Sequence, residues 1–221
     1  MVLAWCLWLL GAWAVTLSRG DSSGPSVRWM VLSAMAGMML LWPAFRLSQD
    51  YRVQQGYGSA AHDKGPMPIG RLFFDWVSLN FVFQAVIWPL QITAGWRLTQ
   101  TLLLDGAMAS WSLLMALLIA WGMGSARGAR RAWAMGLCVL LLFGEPVLIS
   151  LVVLATQSHH ESIVPWHMRV SPIETLWALA DSRRLWAPGP WVERVAAAAA
   201  AGTLGWLLLA LFNARKAGMK N

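Results

Sequence analysis

Six long apolar stretches, separated by short polar or basic connectors, dominate the sequence. A stretch of about 17–25 apolar residues can cross the hydrocarbon core of a bilayer as a helix. The stretches lack the two-residue alternation of membrane strands, and a helix satisfies its own backbone hydrogen bonds in lipid. The sequence therefore predicts an all-α, polytopic membrane protein in which residues 1–221 form a single transmembrane domain. The six predicted spans are approximately 1–17, 29–45, 72–95, 103–124, 132–155 and 192–213.

The composition agrees with a membrane location. Hydrophobic residues make up 58% of the chain and charged residues 12%, against about a quarter charged in ordinary soluble domains. The net charge of +7 raises the possibility of nucleic-acid binding. The Lys and Arg residues, however, cluster between the apolar stretches, which is typical of charges that orient a membrane protein. We therefore expect contact with membrane lipids and no nucleic-acid partner.

The distribution of basic residues predicts the orientation. The more basic short connectors should face the cytoplasm, and they hold Arg46, Arg52, Lys64 and Arg71, then Arg127, Arg130 and Arg131, then Arg215, Lys216 and Lys220. Both ends of the six-span chain are then cytoplasmic, with a cytoplasmic loop at 46–71 and an external loop at 156–191. Because residues 1–17 lack a basic start, they are interpreted as a retained span rather than a signal peptide. The expected location is the bacterial inner membrane.

The external loop contains the sequence Ser171-Pro172-Ile173-Glu174. This is a capping-box pattern with proline at the first helical position. It predicts a short helix that reaches about Asp181, before the last span. Such a helix could lie on the membrane surface or dip back into the membrane.

Glu145 is the sharpest single candidate for a functional residue, because it lies within a span and precedes Pro146. A carboxylate at membrane depth is costly and normally faces protein or water. It could belong to a substrate or proton site. It could equally be a protonated or hydrogen-bonded side chain beside a structural kink.

The third predicted span carries Asp75, Asn80, Gln84 and Gln91. The last three recur at helical spacing and share one face. Polar faces inside helix bundles serve either hydrogen bonding between helices or a water-lined path. A further hypothesis is an intramembrane enzyme that uses Asp75 and Glu145.

Other chemically suggestive residues give weaker signals. His159, His160 and His167 in the external loop are weak metal-site candidates, and adjacent loop histidines are more often solvated; no metal or cofactor is expected. Cys6 and Cys138 lie in apolar stretches and indicate packing. No phosphate-binding loop, nucleophile elbow or zinc-protease motif is present, so the chain is not expected to be an enzyme by itself.

Small residues line the start of the last span, from Ala196 to Ala201 and then at Gly202 and Gly205. Small side chains allow close approach of helices. The pattern favours packing within the bundle, with a dimer interface as the alternative.

The order of short and long loops resembles that of membrane subunits of type-2 ABC transporters, which have six spans, cytoplasmic ends, and a long external loop before the sixth span. In that family the first cytoplasmic loop carries a Glu-Arg pair, Gly-Thr, a proline and Gly-Lys. Degenerate counterparts here are Asp50-Tyr51-Arg52, Gly56, Pro68 and Gly70-Arg71. The segment from Ser171 to Asp181 resembles the family's small external helix.

The resemblance implies a transmembrane subunit that moves an unknown substrate together with a cytoplasmic ATP-binding subunit and a second membrane subunit, either another copy or a related chain. The residues expected to couple to the ATPase are Asp50, Arg52, Gly56, Pro68, Gly70 and Arg71. The alternative is a non-catalytic accessory subunit of a larger redox or photosynthetic membrane complex. Its Trp-rich spans would then serve as packing surface.

Overall fold

The computed structural model describes residues 2–18, 24–54, 69–123, 128–156, 171–180 and 189–218, and every regular element in them is an α-helix. The all-α prediction is confirmed. The seven helices are α1 (Val2–Ser18), α2 (Gly24–Gln54), α3 (Ile69–Ala94), α4 (Leu98–Gly122), α5 (Gly128–Thr156), α6 (Pro172–Leu179) and α7 (Gly189–Gly218).

Five of these helices are long and apolar enough to cross a membrane, namely α2, α3, α4, α5 and α7. The protein is therefore an integral, multi-pass membrane protein. The first helix is apolar but shorter, with 17 residues. Three of the long helices continue through an internal proline, at Pro43, Pro89 and Pro146.

The second helix extends well beyond its predicted end. The sequence placed the end of this span at 45, because Arg46 marks the first charge after the apolar stretch. The helix instead runs to Gln54, and α3 begins at Ile69. A charge can mark the edge of the hydrocarbon without ending the helix, because the backbone hydrogen bonds of a helix can also form in water. Both ends of the predicted loop 46–71 are therefore helical.

The centre of the bundle is the pair α2 and α4. Each packs against five other helices. In their most apolar segments, 61% of the residues of α2 and 56% of those of α4 are buried, against 17–22% for α3, α5 and α7. Methionine, an unbranched and adaptable side chain, fills much of this centre. The fully buried methionines are Met30, Met35, Met38, Met39, Met108 and Met115.

The last helix packs chiefly on α4 through glycines. A Cβ at Gly202 would lie 3.0 Å from Leu113 Cδ2, and one at Gly205 would lie 2.4 Å from Leu117 Cδ1. Trp206 Nε1 also donates to the carbonyl of Leu113 at 3.4 Å. The glycines thus serve packing within the bundle. Several neighbouring alanines are exposed, namely Ala196, Ala197, Ala200 and Ala201.

The short helix α6 dips into the bundle and packs against α2, α4 and α5. Its Thr175, Leu176 and Leu179 are buried, so one face of this helix packs against the bundle. Proline occupies the first helical position, as predicted. The predicted side-chain cap is wrong, because Ser171 makes no capping hydrogen bond.

The two ends of α6 have different surroundings. At the end of the bundle where residues 95–97 connect α3 to α4, Gln100 Nε2 donates to the carbonyl of Leu179 at 2.6 Å and satisfies this last carbonyl of α6. Trp177 is covered there by the Arg28 guanidinium, 5.2 Å from the ring centroid, and by the edge of Trp29 at 5.7 Å. The start of α6 at Ser171 lies deeper, beside the middle of α5.

The first helix docks onto α2 at Gly37. Trp8 Nε1 donates to the carbonyl of Ser33 at 2.8 Å, and Trp5 Nε1 donates to the carbonyl of Leu79 in α3 at 3.3 Å. A Cβ at Gly37 would lie 2.3 Å from Trp8 Nε1 and 2.8 Å from Trp5 Cζ3. Only glycine therefore admits both indole rings at this position.

Gly37→Ala should lower the free energy of unfolding by about 1–3 kcal/mol, the usual cost of over-packing, because two rigid indole rings must move. Gly136→Ala in α5 is the matched control, since nothing lies within 4 Å of its added Cβ and alanine favours helix. Denaturant titration in detergent micelles measures both variants. Equal stability of the two variants would show that α1 is not docked as described.

Candidate functional site

A row of polar side chains follows the contact between α3 and α4. Trp76, Asn80, Gln84 and Trp88 recur at every fourth position of α3, which places them on one face of the helix. Their hydrogen-bond partners on α4 include Asp105 and Ser112. We call these six residues the α3–α4 seam.

One half of the seam is a neutral cluster around Ser112. The Ser112 hydroxyl accepts from Trp76 Nε1 at 3.0 Å and from Asn80 Nδ2 at 3.4 Å, and it donates to the carbonyl of Ala109 at 3.0 Å. The Asn80 amide also donates to the carbonyl of Trp76 at 2.8 Å. Asn80 Oδ1, in contrast, is buried and accepts no hydrogen bond from the described residues.

The other half of the seam is built around Gln84. Its Nε2 donates to Asp105 Oδ1 at 2.5 Å, and its Oε1 accepts from Trp88 Nε1 at 2.8 Å. Asp105 and Gln84 are both partly buried. A carboxyl group within a span is costly, and the amide of Gln84 compensates part of that cost.

Sequence reasoning identified Asn80 and Gln84 but missed Asp105 and Ser112. The signal for Asp105 was present, because it is an isolated acidic residue within the apolar stretch 103–124. Ser112 carries no comparable signal, since serine is unremarkable in a span. Gln91, predicted to share the polar face, makes no side-chain hydrogen bond to the seam among the described residues.

An ion pair lies at the end of the seam, one residue before Trp76. Arg46 Nη2 of α2 pairs with Asp75 Oδ2 of α3, and the two side chains are only 6% and 16% exposed. Arg46 Nη1 also donates to Gln49 Oε1 at 3.0 Å. The assignment of Arg46 to a cytoplasmic loop is therefore wrong, since it is a buried residue that joins two helices.

The remaining candidates that the structure describes lie outside the seam. Glu145 faces a groove beside α5 that is separate from the seam. Gly70 and Arg71 are exposed in the first turn of α3, and Asp50 and Arg52 belong to the last turns of α2. Gly56, Pro68, His159, His160 and His167 lie outside the residues that the structure describes.

The geometry defines an integral membrane protein with polar and charged groups held between its spans. No protein-family model, curated protein or solved structure matches this chain.

The Arg46–Asp75 pair generates a prediction about stability. Arg46→Met or Asp75→Leu alone should lower the free energy of unfolding by about 3 kcal/mol or more, because each leaves a charge buried without its partner. The double variant should recover most of that loss, since neither charge is left. Arg71→Met, at an exposed site in α3, should change the free energy of unfolding little.

Denaturant titration of the four variants in detergent measures the coupling between the two sites. If the double variant loses the sum of the two single losses, Arg46 and Asp75 do not act as a pair.

Proposed function

We propose that this chain is the transmembrane subunit of an ABC-type transporter, working with a separate cytoplasmic ATP-binding subunit and a second membrane subunit. The α3–α4 seam is the observation that carries the proposal. From Trp76 to Trp88 it extends about 18 Å along the helix axis at 1.5 Å per residue, more than half of the hydrocarbon thickness. A polar track of this length suits the passage of a polar substrate.

The composition of the seam favours transport over simple adhesion between helices. Polar groups that only join helices are expected to pair completely, because lipid offers no substitute partner. Here the buried Asn80 Oδ1 accepts no hydrogen bond from the described residues. The partly exposed Asp105 also requires water or another polar surface beside it.

The partial exposure of Asp105 supports the presence of a second membrane subunit. In the isolated chain, the exposed parts of Gln84 and Asp105 would meet lipid. A second copy, or a related chain, would cover Asp105 and Gln84 and complete a path between the subunits. The exposed alanines of α7 offer a smooth surface for such a contact.

The connection between α2 and α3 is the proposed point of coupling to the ATPase. α2 continues to Gln54, past the candidate membrane segment Ser26–Gln49. Arg46 and Asp75 join it to α3, so that displacement of this end would move the polar face of α3 against α4. Alternating access needs helix packing with two arrangements, and exchangeable hydrogen bonds such as those of Gln84 permit this.

The proposed topology has six spans with both ends in the cytoplasm of a bacterial inner-membrane protein. The helix α1 serves as the sixth span. Its 17 residues extend about 25 Å, near the lower limit for crossing the hydrocarbon, and it packs against α2 and α3.

An accessory subunit of a larger redox or photosynthetic complex is the second candidate. The observation in its favour is the large apolar surface of α5 and α7. Only 17% of the residues in the most apolar segment of each helix are buried. Such helices could pack against other membrane subunits as well as against lipid. Its polar groups would then stabilise the assembly without moving a substrate.

Arg71→Glu should abolish co-purification of an ATP-binding cassette subunit in mild detergent, because the exposed first turn of α3 belongs to the proposed docking region. Arg97→Glu is the matched control, as an exposed arginine at the other end of α3. Mass spectrometry of the purified complexes measures the result. Recovery of redox or photosynthetic subunits without an ATPase would refute the transporter proposal and support the accessory subunit.

Labelling of single cysteines tests the orientation. In a Cys6→Ser, Cys138→Ala background, Arg97→Cys should react with a membrane-impermeant maleimide in intact cells. Arg71→Cys should react only after the membrane is permeabilised, since the two sites lie at opposite ends of α3. The reverse pattern would show that the chain is inserted with both ends outside.

A further inference from the structure

A groove of about 370 Å³ lies between α4, α5 and α6. We call it the α5 groove. It is lined by Leu118, Leu137, Leu140, Leu141, Glu145 and Ser171. Four leucines thus form a wholly apolar wall, and two polar side chains join it from α5 and from the start of α6. A groove of this size lies within the range of small-molecule sites.

Ser171 is the unusual member of this lining. Its residue is only 2% exposed, and its Oγ makes no hydrogen bond within the described part of the chain. Burial of a hydroxyl without a hydrogen bond costs free energy. The nearby backbone offers it a role as a helix cap, yet the side chain does not take that role. Its hydroxyl therefore lies beside the groove without a hydrogen-bond partner among the described residues.

The start of α6 also sets the electrostatics of the groove. The first N–H groups of a helix have no acceptor within the helix, and they carry a partial positive charge. Ser171 places this end beside the middle of the α5 span, which extends over Gly128–Ala155. The carboxyl group of Glu145 enters the same groove from α5.

These groups select the head of a bound molecule. A hydroxyl group can donate to the carboxyl of Glu145 and accept from Ser171 at the same time. A cationic head would be attracted by a carboxylate at Glu145 but repelled by the positive end of α6, and an anionic head would meet the reverse. Neither charged head is therefore matched by both groups, whereas an uncharged hydroxyl is matched by both.

The leucines select the rest of the molecule. Leu140 is 61% exposed and lies within the candidate span, so the groove opens towards the lipid side of α5. A hydrocarbon chain can enter from the bilayer and lie along Leu137 and Leu141.

We propose that the α5 groove binds an uncharged, hydroxyl-bearing amphiphile, with the hydroxyl between Glu145 and Ser171 and the hydrocarbon chain along the leucines. A long-chain alcohol and an acylglycerol share this chemistry. The proposal is independent of the transporter assignment, because it concerns binding to the purified chain alone.

Photolabelling tests the proposal directly. The full chain, in lipid nanodiscs, is exposed to a diazirine-bearing hexadecanol, and labelled peptides are mapped by mass spectrometry. We expect labelling within residues 137–145. Excess unlabelled hexadecanol or a dioleoylglycerol should compete, whereas palmitate and hexadecylamine should not.

The Ser171→Ala variant should bind hexadecanol about fivefold more weakly, the usual effect of losing one neutral hydrogen bond. The matched control is Ser150→Ala, one turn beyond Pro146 on α5. Its exposed hydroxyl donates to the carbonyl of Pro146 at 2.7 Å, and its loss should leave binding unchanged. Without added alcohol, Ser171→Ala should not lower Tm, because it removes a hydroxyl that has no partner.

Leu137→Trp, which fills the groove, provides a second test and should eliminate the labelling. Absence of labelling at 137–145 in the unaltered chain would overturn the proposal. So would equal competition by the charged amphiphiles, or unchanged binding in Ser171→Ala.

Discussion

Lipid offers no hydrogen bonds, and this constraint determines how the helices of this protein join. An indole N–H in a span is stabilised by an acceptor, and backbone carbonyls of neighbouring helices provide several, although Trp42 and Trp111 have none among the described residues. Trp5 and Trp8 connect α1 to α3 and α2, Trp76 connects α3 to α4, and Trp206 connects α7 to α4. These tryptophans thus link pairs of helices, although the sequence alone does not distinguish them from tryptophans that face lipid.

The same constraint separates two kinds of polar group in the bundle. Most are matched across a helix contact, as Gln84 is with Asp105 and Arg46 is with Asp75. Others are not, and Trp42 Nε1, Trp111 Nε1, Asn80 Oδ1 and Ser171 Oγ are buried without a hydrogen-bond partner in the described residues. Of these four groups, Asn80 Oδ1 belongs to the seam and Ser171 borders the α5 groove.

Much of the polar face of α3 could be predicted, because Asn80 and Gln84 are separated by one helical turn and must share a side. Their partners could not be predicted, since Asp105 and Ser112 are relevant only once α4 is known to lie against that side. Arg46 shows the same limit. A charge after an apolar stretch resembles a loop residue, and its burial depends on the register that brings Asp75 opposite.

The sequence by itself determined the helical class, the approximate position of each apolar helix and the presence of a short helix beginning with proline at 172. These properties follow from the hydropathy of consecutive residues, which is local and can be summed along the chain. Only the tertiary structure decided that α2 and α4 form the centre, that α6 enters the bundle and that Ser171 meets Glu145 across a groove. Those outcomes depend on which helix faces pack together, and that choice is made by shape and hydrogen-bond matching between residues far apart in the chain.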